Sequence, residues 1–149
     1  MESQPSLDVA RLGSALDRLT RLLRRSSLPG DLSPAAASTL YTLVTTGPAR
    51  LTALAAAEYV SQPAMTQLVA RLEAAGLVAR GADPDDGRVV IVSATDAGRD
   101  LSLARRAARG EVLATLLGRL PRDQRDAIAA AVPALEGLVA LGDADPGRA

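Results

Sequence analysis

The chain has 149 residues, 48% of them apolar, and its 17 acidic side chains are balanced by 17 basic ones, all arginine. That length supports one domain with a real core rather than two, and zero net charge supplies no general attraction to nucleic acid, so any such function must rest on local geometry. With neither Cys nor His in the chain, disulfides, thiol redox sensing, thiolate metal sites and the commonest metal ligand and general base are all excluded.

The amino terminus, Met1-Glu-Ser-Gln-Pro-Ser-Leu-Asp8, lacks the basic-then-apolar order of a signal peptide. No apolar run approaches the roughly 20 residues of a membrane helix. The expectation is a soluble, cytoplasmic protein with no membrane partner and no cofactor. Phe and Trp are absent and the only aromatics are Tyr41 and Tyr59, so a core of Leu, Val and Ala in a mainly helical fold is expected.

From Leu7 to Arg25, Val9, Leu12, Leu16, Leu19 and Leu23 recur at three- and four-residue intervals and draw one stripe along an amphipathic helix. The segment Ser26 to Asp31 breaks that pattern. Ser33 followed by Pro34 then supplies an N-cap and a first-turn proline for a second helix, which stops at Gly47-Pro48. A short helix is expected over about 52–58. After it, Ser61 caps a new helix with Pro63 in its first turn and Met65, Leu68, Val69 and Leu72 on its inner face.

Gly76 is placed as a left-handed C-cap. The runs Leu77 to Arg80 and Val89 to Ser93, around "ADPDDGR" (Ala82 to Arg88), read as a two-stranded hairpin. Thr95 and Asp96 open a helix that carries Leu101, Leu103, Ala104, Ala108, Val112 and Leu116. Pro121 sits early in a last helix with Ile128, Val132, Leu135, Leu138 and Leu141. Pro133 is expected to kink or divide that helix, because it removes a backbone donor and clashes with the preceding turn. Residues 142–149 hold turn formers and no apolar anchor, which predicts a mobile tail.

A short helix, a tight turn, a longer helix and an immediate hairpin form the order of a winged helix-turn-helix, in which the second helix enters the DNA major groove. The stretch "LTALAAAEYVSQPAMTQLVARLEAAGLVAR" (Leu51 to Arg80), "DGR" (Asp86 to Arg88) and "SATDAG" (Ser93 to Gly98) resemble the MarR family of bacterial transcriptional regulators. They match its helix-turn-helix, the Asp-x-Arg of its wing and the Leu-Thr-x-x-Gly that starts the next helix. The chain departs from the pattern at Gly87, often basic in the family, at Ala94, usually Leu, and at Pro133.

The resemblance implies a mainly α (α+β) fold. Residues 33–93 would form the winged core, with its two-stranded wing, and 7–26 together with 96–141 a helical dimerisation region. It also implies a homodimer facing double-stranded DNA at a pseudo-palindromic operator, acting as a repressor released by a small-molecule effector. Two-fold symmetry would set the recognition helices about one DNA turn, roughly 34 Å, apart.

On the recognition helix the inner face leaves Ser61, Gln62, Pro63, Ala64, Thr66, Gln67 and Arg71 for DNA. Gln pairs with adenine, Thr and Ala touch a thymine methyl, and Arg71 suits a phosphate. The plain alternative is a solvated polar face. In the wing the resemblance implies that Asp86 orients Arg88, and Arg is favoured in the negative potential of a narrow minor groove; Arg80 joins them as a wing contact. Asp83 and Asp85 would repel phosphate unless they cap the turn or pair with Arg80 or Arg88.

For an effector, Arg21, Tyr41 and Arg50 are the candidate handles, suited to a small aromatic or anionic molecule, although each also serves as an ordinary surface or packing residue. The lack of Cys excludes the thiol-based peroxide sensors of the family, and the lack of Cys and His argues against a zinc-responsive member. A competing class is a winged-helix module that binds protein. An enzyme is not expected, since Asp85 and Asp86 sit on a turn with no nucleophile, pocket or metal partner.

Overall fold

The computed structural model describes residues 7–25, 29–83 and 86–144. Helix α1 (Val9–Arg25) starts where the Asp8 carboxylate accepts from the Arg11 amide at 2.9 Å. Helix α2 (Pro34–Thr46) is capped as its sequence predicts, by Ser33 Oγ accepting from Ala36 N, and ends at Gly47. Strand β1 (Ala49–Arg50) leads directly into α3 (Leu51–Ala57), and α4 (Gln62–Ala74) follows. Gly76, at φ +71, turns the chain out of α4 while the Leu77 amide reaches back to the Leu72 carbonyl at 2.9 Å.

Strands β2 (Val78–Ala82) and β3 (Val90–Ala94) form the wing hairpin, and α5 (Asp96–Leu117) and α6 (Arg122–Ala144) complete the chain. The sheet has three antiparallel strands in the order β1-β3-β2, with Ala49 opposite Val92 and Val78 opposite Ala94. A two-stranded wing was the expectation; β1 is the addition. Two residues after a Gly-Pro break carry no period-two signal, and only the open edge of β3 makes them a strand.

The core lies where α2, α3, α4 and the sheet meet. Leu40, Leu43, Leu54, Met65, Val69, Leu72 and Val92 are all essentially buried. Thr95 joins this core to α5. Its hydroxyl donates to the Gly76 carbonyl at 2.7 Å and accepts from Gly98 N at 3.1 Å, and its amide donates to the Leu77 carbonyl. Gly98 is buried in that junction, and a Cβ there would lie 2.1 Å from the Leu77 oxygen. The approach of helix to strand therefore requires glycine.

Outside the core the chain behaves differently. Every described side chain of α6, residues 122–142, is exposed, and most of α1 is exposed as well. Pro133 does not divide α6, which runs through it as one helix; what Pro133 costs is one donor to the Ala129 carbonyl. Pro121 stands just before that helix and its carbonyl accepts from Arg125 N. Residues 142–144, expected in the tail, belong to α6; the remainder of the expected tail, 145–149, lies outside the described residues. No described helix is long and apolar enough to cross a membrane.

Candidate nucleic-acid interface

Helix α4 presents a one-sided surface. Met65, Leu68, Val69 and Leu72 are buried, and Ser61, Gln62, Pro63, Ala64, Thr66, Gln67 and Arg71 are all exposed. Ser61 Oγ caps the helix by accepting from Ala64 N at 3.4 Å, which aims the first turn outward. The Thr66 hydroxyl donates to the Gln62 carbonyl at 2.9 Å. Its proton is thus engaged, and it offers a base edge its methyl group and a lone pair. The turn that delivers the chain to α4 holds Tyr59 at φ +53, a left-handed conformation that L side chains disfavour.

The wing stands beside α4, and its described carboxylates are occupied within the fold. Asp83 is 7% exposed, and its Oδ2 accepts from Arg50 Nη2 at 2.7 Å and Nε at 3.1 Å. Glu73 of α4 lies 3.4 Å from Arg80 Nε. Asp86 Oδ1 accepts from the Arg88 amide at 3.1 Å. The hairpin closes through Asp83 N to the Val89 carbonyl and Val89 N to the Asp86 carbonyl, both 2.9 Å. Arg71 and Arg88 remain exposed, and the acids of "ADPDDGR" that the structure describes are engaged elsewhere in the fold.

This geometry adds to three expectations. Asp83 pairs with Arg50 rather than with Arg80 or Arg88. Asp86 holds the backbone of Arg88 and not its guanidinium. Arg80, expected on DNA, crosses from β2 to the recognition helix, where Nη2 also donates to the Thr66 carbonyl at 3.2 Å. The Arg50–Asp83 pair spans 33 residues, beyond any local spacing rule; its only trace in the sequence is an acid placed where a DNA-facing wing should avoid one. Asp85 lies outside the described residues.

A separate cleft of about 920 Å³ opens between α1, the segment before α2, α2 itself and α5. Tyr41, Leu23 and Leu113 contribute to its walls, and its polar groups include Arg24, Arg105, Arg106 and Arg109 against Asp31. Arg21 and Arg50 are not among its lining residues: Arg50 is at the wing base. Arg105 donates to the carbonyls of Pro29 and Gly30 at 2.6 and 3.0 Å, tying α5 to the segment before α2. Burial, and then the neighbouring Arg109, pull its guanidinium pKa below the usual value. Four arginines and one carboxylate thus line the cleft. None of the four is among the handles expected from the sequence: Arg24 is one of several arginines spread around the α1 stripe, and the other three lie on α5 among further arginines of the same helix.

The sequence profile of the MarR family matches residues 32–90, the segment that holds the recognition helix and most of the wing. An uncharacterized HTH-type transcriptional regulator of Mycobacterium bovis is 40% identical over 134 residues, covering 87% of this chain and 94% of that protein. The chain belongs to the MarR family. Its fold is shared with the RV1404 structure from Mycobacterium tuberculosis, at a TM-score of 0.75 and 24% identity over 91% of this chain and 97% of that one. It is shared also with BpsR of Bordetella bronchiseptica, at 0.62 and 24% over 91% and 98%, a structure concerned with regulation of DNA binding by 6-hydroxynicotinic acid.

As a MarR-family protein the chain is a DNA-binding transcriptional regulator and not an enzyme. The family profile stops short of α5 and α6, whereas the mycobacterial relative aligns with most of the chain. The helices that flank the winged core thus belong to the shared architecture.

Proposed function

We propose that the chain is a homodimeric, operator-specific repressor whose two α4 helices read a pseudo-palindromic duplex. The observation that carries this reading is the one-sided burial of α4: apolar anchors are inward, Gln62, Thr66, Gln67 and Arg71 are outward, and Arg88 of the wing is exposed as well. Gln62 and Gln67 supply bidentate pairing to adenine, Thr66 and Ala64 contact to a thymine methyl, and Arg71 and Arg88 neutralise phosphate or enter the minor groove. The uncovered apolar faces of α1 and α6 supply the dimer contact. Dimerisation would place the two reading heads about one helical turn, roughly 34 Å, apart.

An anion in the arginine-lined cleft would bias the spacing of the heads and release DNA, since the cleft touches α1, α2 and α5 together. The regulation of BpsR by 6-hydroxynicotinic acid supports a small carboxylate as the class to screen.

The test is selection of bound fragments from random duplex DNA at two salt concentrations. Enrichment of a pseudo-palindrome with half-sites one turn apart is expected, with affinity falling steeply as salt rises. No enrichment at either salt would turn the reading toward a protein-binding winged helix. On the selected duplex, Arg88→Ala weakens binding to all sequences and lowers the salt slope, whereas Gln62→Ala or Gln67→Ala relaxes base preference by about 1 to 3 kcal/mol. A small carboxylate that occupies the cleft should release DNA from the wild type and not from Arg109→Ala, as fluorescence anisotropy would record.

A further inference from the structure

The wing contains a buried carboxylate in a protein whose ligand is a polyanion, and base reading has no use for it. Asp83 stands one residue beyond β2, where the chain leaves the sheet for the wing tip. Its partner Arg50 is the last residue of β1, is paired with Ile91 of β3, and occupies the N-cap position of α3. The ion pair therefore ties the root of the wing to the residue that opens the helix-turn-helix. Both Arg50 donors converge on Oδ2, at 2.7 and 3.1 Å, a planar two-point grip that lysine cannot reproduce. The burial is unequal: the Asp83 side chain is 7% exposed and that of Arg50 54%. Losing the arginine would remove both charged donors from Oδ2 and raise the cost of keeping the carboxylate buried, so the wing root would loosen toward water.

We propose that Arg50 and Asp83 are positioning residues, an ionic clamp that fixes the angle of the wing so that Arg88 meets the DNA. The Asp83 amide, bonded to the Val89 carbonyl, belongs to the same root, so the clamp and the hairpin closure act on one segment. Arg80 secures the other side of the wing to α4. Arg50 and Arg80 then brace the hairpin against the helix-turn-helix from two directions, leaving Arg88 to face the duplex. The proposal rests on the reading that the wing touches DNA.

The rival assignment makes the exposed guanidinium of Arg50 a direct phosphate contact, and the carboxylate discriminates the two. Arg50→Ala, Asp83→Ala, Asp83→Asn, the Arg50→Ala/Asp83→Ala double variant and Arg88→Ala would be measured as full-length protein on the selected duplex. Hydrogen exchange across residues 79–92 would be recorded without DNA. A clamp predicts that each alteration of Arg50 or Asp83 weakens binding about tenfold, the scale of one lost charged hydrogen bond. It also predicts that the double variant is no worse than either alanine single, and that the salt slope falls by about one for each wing. Exchange at the wing root should accelerate in those variants and stay unchanged in Arg88→Ala. Asp83→Asn keeps the volume of the side chain and guards against a variant that fails to fold.

If Asp83→Asn leaves affinity unchanged or raises it while Arg50→Ala weakens it, Arg50 is a phosphate contact and the clamp is overturned. Unchanged exchange at the wing root would overturn it as well. If Arg88→Ala leaves DNA affinity intact, the wing reading fails instead, and the exchange data still decide whether Arg50 holds Asp83.

Discussion

Helices α4 and α6 both carry apolar side chains at helical spacing, and the fold treats them in opposite ways. Helix α4 buries Met65, Leu68, Val69 and Leu72 within its own chain, whereas α6 leaves Ile128, Val132, Leu135 and Leu138 between 38% and 56% exposed. The first pattern closes a core; the second finds little to close against among the described residues of its own chain. A stripe of this size on a DNA-binding regulator calls for a second surface, and a copy of the same chain would offer a self-complementary one. In the proposed homodimer the winged core and the outer helices would divide the work: the core fixes the shape of one reading head, and the outer helices would fix where its twin stands.

The sharpest way to break that contrast is to place charge on the outer stripe. Leu135→Asp with Leu138→Asp should raise the dimer dissociation constant at least about a hundredfold, given the roughly 1.5–3 kcal/mol contributed by each fully buried leucine. Sedimentation velocity would record it, and an unchanged dimer would remove α6 from the interface. A smaller effect is expected inside the core junction. Gly98→Ala must push a methyl into the Leu77 carbonyl, which should cost about 1–3 kcal/mol in urea unfolding; a neutral outcome would mean that α5 slides along the sheet at little cost.

The smallest effect should have the opposite sign. Tyr59 holds a left-handed conformation in the turn before α4, and its side chain is 64% exposed. Tyr59→Gly should therefore stabilise the protein by up to about 1 kcal/mol, relief of backbone strain being partly offset by the entropy of glycine. Loss of stability on that change would show that the phenol ring contributes packing that outweighs the strain.

Most helices were legible because each carries its own boundary signal. Ser33-Pro34, Ser61 with Pro63, Gly76 and Thr95 all serve as the caps their chemistry predicts. The exposed face of α4 was legible for a related reason: once Met65, Leu68, Val69 and Leu72 are assigned inward, helical period leaves Gln62, Thr66, Gln67 and Arg71 outward. Strand β1 was not legible, since two residues have no period. Pro133 does not divide its helix, since the length of helix on both sides of it outweighs the proline's local cost.

Partners, as opposed to faces, required the folded chain. The sequence by itself determined where helices begin and end, which side of α4 is dry, and that the wing contains more acid than a DNA-facing loop should tolerate, because propensity, capping and periodicity act over a few residues. Only the tertiary structure decided that Asp83 is held by Arg50, that Arg80 reaches from β2 to the recognition helix, and that Arg24, Arg105, Arg106 and Arg109 line one cleft. Ion pairs and clefts are made by elements distant in sequence, and charge carries no record of which distant partner the packing will bring within about 4 Å.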